Sequence, residues 1–191
     1  MQVIDTDIVG VKVLVPKRYG DHRGFFSEVY SKKVFLEAGI EADFVQDNHS
    51  FSANRGVVRG LHFQLPPFAQ AKLVRVSRGS IFDVIVDLRK GSPSFGKSCA
   101  HTLGAENWHQ LFVPEGCAHG FCTLEADCEV LYKASAYYAP DYERGLRWND
   151  QELGIDWPVR ESQAILSDRD RSWPALHDLE DLFEISSTAD A

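Results

Sequence analysis

The chain has 191 residues, 44% hydrophobic and 25% charged, with a formal net charge of −8. That length supports one domain with a sizeable core, and the acidic balance argues against a nucleic-acid binder, which normally carries a basic face. No apolar run approaches the length of a membrane span. Met1 leads into polar Gln2 and Asp5 rather than a signal peptide, and the four cysteines, Cys99, Cys117, Cys122 and Cys128, include no Cys-x-x-Cys pair, so a reduced, cytoplasmic protein is expected.

In chain order, residues 9–15 read as a strand closed by Pro16. Asp21-His22-Arg23-Gly24 is a turn signal and residues 25–30 a second strand. Ser31 is placed to cap a short helix with Val34, Phe35 and Ala38 on its apolar face and Gly39 at its end. Strands are then expected at 44–51, 57–64, 72–77, 81–88, 98–103, 110–113, 119–124 and 129–134. Arg78-Gly79 reads as a hairpin turn. Many short strands with regular turn signals predict an all-β antiparallel sandwich or barrel. Residues 137–157 are aromatic, polar and irregular, Asp168-Arg169-Asp170-Arg171 is a charged run, and 176–183 reads as a short amphipathic helix. A single domain over residues 1–185 with a frayed tail over 186–191 is expected.

The stretch Val57-Val58-Arg59-Gly60-Leu61-His62-Phe63-Gln64 places a titratable base near a guanidinium. Strand alternation puts Arg59, Leu61 and Phe63 on one face and Gly60, His62 and Gln64 on the other. Arg59 and His62 therefore start on opposite faces unless a bulge re-aims one, and Gly60 permits a bulge or a close backbone approach. Taken alone, the stretch is read in preference as an edge strand with His62 and Arg59 facing water.

Pro114-Glu115-Gly116-Cys117-Ala118-His119-Gly120 resembles the second half of the cupin signature. The first half, a His-x-His pair and a Glu before a turn glycine, is missing: Lys72 stands seven residues before Gly79. A cation there repels a metal and favours an anion or enolate.

Several blocks in fixed order then resemble the dTDP-4-dehydrorhamnose 3,5-epimerases: Gly20-Asp21-His22-Arg23-Gly24-Phe25-Phe26, Phe44-Val45-Gln46-Asp47-Asn48-His49-Ser50, Arg59-Gly60-Leu61-His62-Phe63-Gln64, Lys72-Leu73-Val74-Arg75, Phe82-Asp83-Val84, His119-Gly120-Phe121 and Leu131-Tyr132-Lys133. The resemblance returns at Leu166-Ser167-Asp168-Arg169-Asp170. It implies a cupin-type jelly-roll barrel with a few short helices and an irregular C-terminal region. It also implies a homodimer formed through the N-terminal strands, with no metal and no cofactor, acting on a dTDP-linked 4-keto-6-deoxyhexose. The implied reaction inverts C3 and C5, the carbons flanking the ketone. A C–H beside a ketone is acidic because its anion delocalises as an enolate, so the enzyme needs a base, an acid on the opposite face and a positive group at the ketone oxygen.

By the resemblance, His62 is the base, Asp170 its orienting carboxylate, Tyr132 the acid and Lys72 the cation near the ketone. Arg23 and Arg59 hold the diphosphate, Tyr138 stacks on thymine, and Glu28, Gln46, Asp47, Asn48, Glu143 and Arg169 are further substrate-binding residues. Arg169 stands where the family often has lysine, keeping the charge with a different geometry. His119 matches a residue near the sugar and reads equally as a structural barrel histidine. Without the resemblance, Tyr132 is a barrel-lining aromatic and Asp170 a solvated charge. Leu65-Pro66-Pro67-Phe68-Ala69 is more apolar than is usual for the family and is expected near the sugar. The alternatives are a single-centre epimerase at C3 or C5, a metal-dependent cupin oxygenase, and a non-catalytic sugar-nucleotide binding module.

Overall fold

The computed structural model describes residues 1–180 and 182–184. Its strands in order are β1 (Gln2–Asp5), β2 (Lys12–Val15), β3 (Tyr19–Asp21), β4 (Gly24–Phe26), β5 (Gln46–Ser52), β6 (Val58–Gln64), β7 (Lys72–Arg78), β8 (Ser80–Asp87), β9 (Arg89–Lys90), β10 (Ser98–Gly104), β11 (Gln110–Val113), β12 (Cys117–Thr123), β13 (Cys128–Ala134), β14 (Glu143–Gly145) and β15 (Phe183–Glu184). Two short α-helices, α1 (Lys32–Glu37) and α2 (Asp168–Ser172), complete the regular structure with several 3-10 turns. A six-stranded sheet, β1-β2-β11-β7-β13-β5, faces a five-stranded sheet, β10-β8-β12-β6-β14, and every pairing within them is antiparallel. This is the antiparallel barrel expected from the strand and turn pattern, and the jelly roll implied by the resemblance.

Alternation along each strand builds the layers. Val74, Val76, Val130, Ile81 and Ile85 fill the space between the sheets. The outer face of the six-stranded sheet is covered by the segment around α1, where Phe35 and Ile40 pack on Leu14, Leu73 and Phe112. The outer face of the five-stranded sheet is covered by the C-terminal region, where Leu146, Leu153 and Phe183 pack on Leu61, Phe63, Val84 and Val86. Burying a side chain of this size stabilises by roughly 1.5–3 kcal/mol. The chain that looked irregular is therefore the lid of one sheet.

Several local expectations are corrected. β1 was not foreseen, and β2 starts only at Lys12 because Gly10 sits in a turn at φ +82. The strand expected over 25–30 ends at Phe26. Arg78-Gly79 is not a hairpin turn: β7 and β8 belong to different sheets, so Gly79 turns a barrel corner. Its φ is +74 and an added Cβ would meet the Cys128 sulfur at 2.6 Å. Residues 137–157 contain β14, which extends the five-stranded sheet beside β6. The helix expected over 176–183 is a 3-10 turn, Leu176–Asp178, followed by β15, which pairs parallel with β9. Helix α1 forms where expected, with Phe35 buried and Gly39 at φ +74, but the Ser31 side chain makes no cap bond. Among the described residues no helix is long and apolar enough to cross a membrane. The tail expected over 186–191 lies outside the described residues.

Candidate active site

The site begins with a break in alternation. Across β6 and β12, His62 pairs with His119 and Arg59 with Phe121, so Gly60 and Leu61 stand opposite Gly120 alone. The extra residue is a bulge, which resets the phase of the strand. Val58 and Leu61 go outward into separate core clusters, while Arg59 and His62 line the same internal cavity. Of the two arrangements left open by the sequence, the bulge decides for the shared face. Only glycine fits: Gly60 has φ +121, and an added Cβ would fall 2.6 Å from the Gly120 Cα and 2.8 Å from the His119 carbonyl oxygen.

The cavity has a volume of about 480 Å³, within the range of small-ligand sites, and is walled by β6, β7, β12, β13 and the segment leading into α2. His62 Nε2 lies 2.5 Å from Asp170 Oδ1. A carboxylate only accepts, so Nε2 carries the proton and donates it, which leaves Nδ1 as the basic nitrogen. Asp170 is buried although its neighbours in α2 are exposed. Helix capping explains its placement: the Ser167 hydroxyl accepts from the Asp170 backbone N–H at 3.1 Å and turns that residue inward. Burial pushes the Asp170 carboxyl up, but the hydrogen bond and charge of His62 outweigh it and hold the group below its ordinary range.

Lys72 enters from the opposite sheet. It is buried, and its Nζ lies 3.4 Å from the His62 carbonyl oxygen. Burial lowers its pKa from 10.5 to about 8, against the pull of the Glu143 and Asp83 carboxylates. A cation that burial makes costly is suited to an oxyanion forming beside it. Tyr132 reaches the same cavity from β13. Burial raises its pKa, with the Glu143 charge adding to the effect, so the phenol keeps its proton. His119 is buried in the wall and donates from Nε2 to both oxygens of Asp83, at 2.9 and 3.0 Å. Asp83, the partner of His119, is not among the candidates drawn from the sequence. Its signal was an acid in the apolar run 81–88, at an inward position of β8.

A polar rim continues from the cavity. Arg59 donates to Ser52 Oγ at 3.2 Å and to the Phe51 carbonyl at 3.1 Å. Gln46 donates to Asn48 Oδ1 at 2.9 Å and accepts from the Tyr138 backbone N–H at 3.1 Å. The Tyr138 hydroxyl donates to Glu143 at 2.8 Å, and Arg169 forms an ion pair with the same carboxylate. The rim thus gathers Gln46, Asn48, Tyr138, Glu143 and Arg169.

Three expected residues stand elsewhere. Asp47 lies on the outer side of its sheet and pairs with Lys133 at 2.8 Å. Arg23 is on the exposed β3–β4 hairpin, paired with Asp21 at 2.6 Å, and Glu28 is exposed just beyond it. The apolar segment 65–69 does not line the cavity either. Leu65 and Ala69 pack into the core, Phe68 packs on Tyr142 with ring centroids 4.8 Å apart, and Gln64 donates to the Phe68 carbonyl at 2.7 Å.

This cupin-type barrel gathers in one cavity the groups that moving a proton beside a carbonyl requires, the chemistry of an isomerase. The family model for dTDP-4-dehydrorhamnose 3,5-epimerase matches residues 5–178. A curated relative of that name from Shigella flexneri is 52% identical over 171 residues, covering 89% of this chain and 93% of its own. A solved epimerase from Bacillus anthracis, with TDP and PPi bound, is 52% identical with a TM-score of 0.88 and covers 91% of this chain and 98% of its own. A Legionella pneumophila epimerase solved with dTDP-4-keto-L-rhamnose is 43% identical with a TM-score of 0.91, covering 97% of this chain and 99% of its own. The chain belongs to the dTDP-4-dehydrorhamnose 3,5-epimerase family.

Proposed function

We propose that the protein converts dTDP-4-dehydro-6-deoxy-D-glucose to dTDP-4-dehydro-L-rhamnose by inverting C3 and C5, in deoxysugar biosynthesis. The observation that carries this reading is the convergence of His62, Asp170, Lys72 and Tyr132 on one cavity. His62 Nδ1 removes the proton beside the ketone, and Asp170 stabilises the imidazolium that forms. The Lys72 ammonium compensates the enolate oxygen, and the Tyr132 hydroxyl returns a proton to the opposite face of the same carbon. Once solvent has taken the proton from His62 and returned one to Tyr132, the same exchange at the second carbon flanking the ketone gives the double inversion. Each such proton transfer is worth roughly 10²–10⁴-fold in rate. Arg59 holds the diphosphate, Tyr138 stacks on the base, and Gln46, Asn48, Glu143, Arg169 and His119 make further ligand contacts.

Arg23, Glu28 and Asp47 belong to this reading only in a dimer or at its edge. The β3–β4 hairpin exposes Tyr19, Phe25 and Phe26, an apolar surface suited to a second copy of the chain. In such a homodimer the exposed Arg23 would be the residue that contributes to the neighbouring copy's diphosphate site. A cytoplasmic location and independence from metal complete the proposal. The test is incubation with dTDP-4-dehydro-6-deoxy-D-glucose in heavy water, before and after prolonged chelation. Deuterium at both C3 and C5 in either case supports it. Incorporation at one carbon points to a single-centre epimerase, and activity restored only by a divalent ion overturns the metal-free mechanism.

A further inference from the structure

Helix α2 carries the buried Asp170, yet it has almost nothing of its own with which to dock. It is five residues long, far below the roughly 12–15 residues at which isolated helices become even marginal. Asp170 is its one buried residue, and Asp168, Arg169, Arg171 and Ser172 are exposed. On its N-terminal side Ile165 bridges Val57 and Leu166 packs into the core, so the residues at its C-terminal end must hold the other side of the helix.

Trp173, the next residue, lies flat on Gly145: a Cβ built there would fall 2.2 Å from both Cδ2 and Cε2 of the indole. Gly145 is the residue of β14 that pairs with His62. The indole also meets the His62 ring edge to face, with centroids 6.2 Å apart, and the Arg169 guanidinium stands 5.9 Å over it. The backbone N–H of Arg147 bonds the Pro174 carbonyl at 2.7 Å and pins the far side. The Trp173 Nε1–H is buried without a partner in good geometry, close enough to the Asp170 carboxylate to help hold it ionised.

We infer that Trp173, seated on Gly145, is the positioning residue of the His62–Asp170 pair. The strand that pairs with the base supplies a bare Cα, the indole occupies it, and the helix carrying the orienting carboxylate is thereby held against that base. This rests on the reading of His62 and Asp170 as the proton-transfer pair.

The experiment compares Trp173→Ala, Trp173→Phe and Gly145→Ala, alone and in combination with Asp170→Asn, by turnover, heavy-water exchange and dTDP calorimetry. A displacement of about 1 Å can cost about 10²-fold, so Trp173→Ala and Gly145→Ala are expected to lower kcat and exchange together by about that factor while dTDP still binds. Trp173→Phe restores an aromatic on Gly145 and recovers most of the turnover. Adding Trp173→Ala to Asp170→Asn costs little more, because both act through one pair. Parent turnover in Trp173→Ala, or a loss that simply multiplies with that of Asp170→Asn, overturns the inference. If Trp173→Ala does not fold, parent turnover in Gly145→Ala overturns it equally. Parent turnover in Asp170→Asn alone instead removes the underlying assignment of the pair.

Discussion

Gly60 and Gly120 touch backbone to backbone across β6 and β12, at the point where the bulge turns Arg59 onto the same face as His62. A side chain on either has no space. Gly60→Ala is expected to lose roughly 1–3 kcal/mol of stability, the cost of a non-glycine residue in that backbone region. It should also weaken dTDP binding, because Arg59 moves. Urea unfolding and calorimetry read the two effects, and unchanged values in both would show that the contact is not a constraint.

The base and the acid separate by isotope exchange. His62→Ala should abolish both deuterium entry and turnover. Tyr132→Phe spares the base, so deuterium still enters the substrate while conversion falls by about 10²–10⁴-fold, as for a lost general acid. Double inversion by Tyr132→Phe at the parent rate would remove Tyr132 from that role, and exchange by His62→Ala at the parent rate would remove the mechanism.

Lys72 links activity to stability with opposite signs. Its pKa falls from 10.5 to about 8 on burial, so the unfolded chain binds the proton more tightly. Folding therefore releases that proton between these values, and the group's penalty is full below about pH 8 and fades as pH rises to 10.5. At 1.36 kcal/mol per unit, the penalty at neutral pH is on the order of 3 kcal/mol. Lys72→Met should be more stable than the parent at pH 7, with the advantage shrinking toward pH 10, yet inactive. Turnover of the parent should decline as pH passes about 8 and the ammonium is lost. A Lys72→Met variant less stable than the parent at pH 7 would contradict the burial cost.

The nucleotide rim predicts a division of labour. Arg59→Ala should weaken dTDP binding by about 1.5–3 kcal/mol, typical of a hydrogen bond to a charged group. Tyr138→Ala should reduce the preference for thymidine over other nucleotides and also free Glu143, leaving Arg169 as its partner. Calorimetry with dTDP and a second nucleoside diphosphate distinguishes the two, and equal affinity in both variants and the parent would take the ligand off this rim.

The class of fold was legible in the sequence because alternation and turn residues are local signals. The strands over 46–134, apart from the two-residue β9, were placed to within a few residues, and the family blocks carried His62, Lys72 and Tyr132. Local signals could not say which strands pair. Arg78-Gly79 looks like a hairpin turn because glycine at positive φ serves a hairpin and a barrel corner alike, and only the separation of β7 and β8 into two sheets distinguishes them. Alternation put Arg59 and His62 on opposite faces, and a bulge forced by contact with Gly120 put them together. Asp170, inside a charged run, became a buried partner of a histidine 108 residues away once Ser167 capped its helix and Trp173 sat on Gly145. The residue types of the site were thus readable along the chain. Their mutual geometry was decided by non-local packing, because a bulge, a cap and an indole on a glycine act only when distant segments meet.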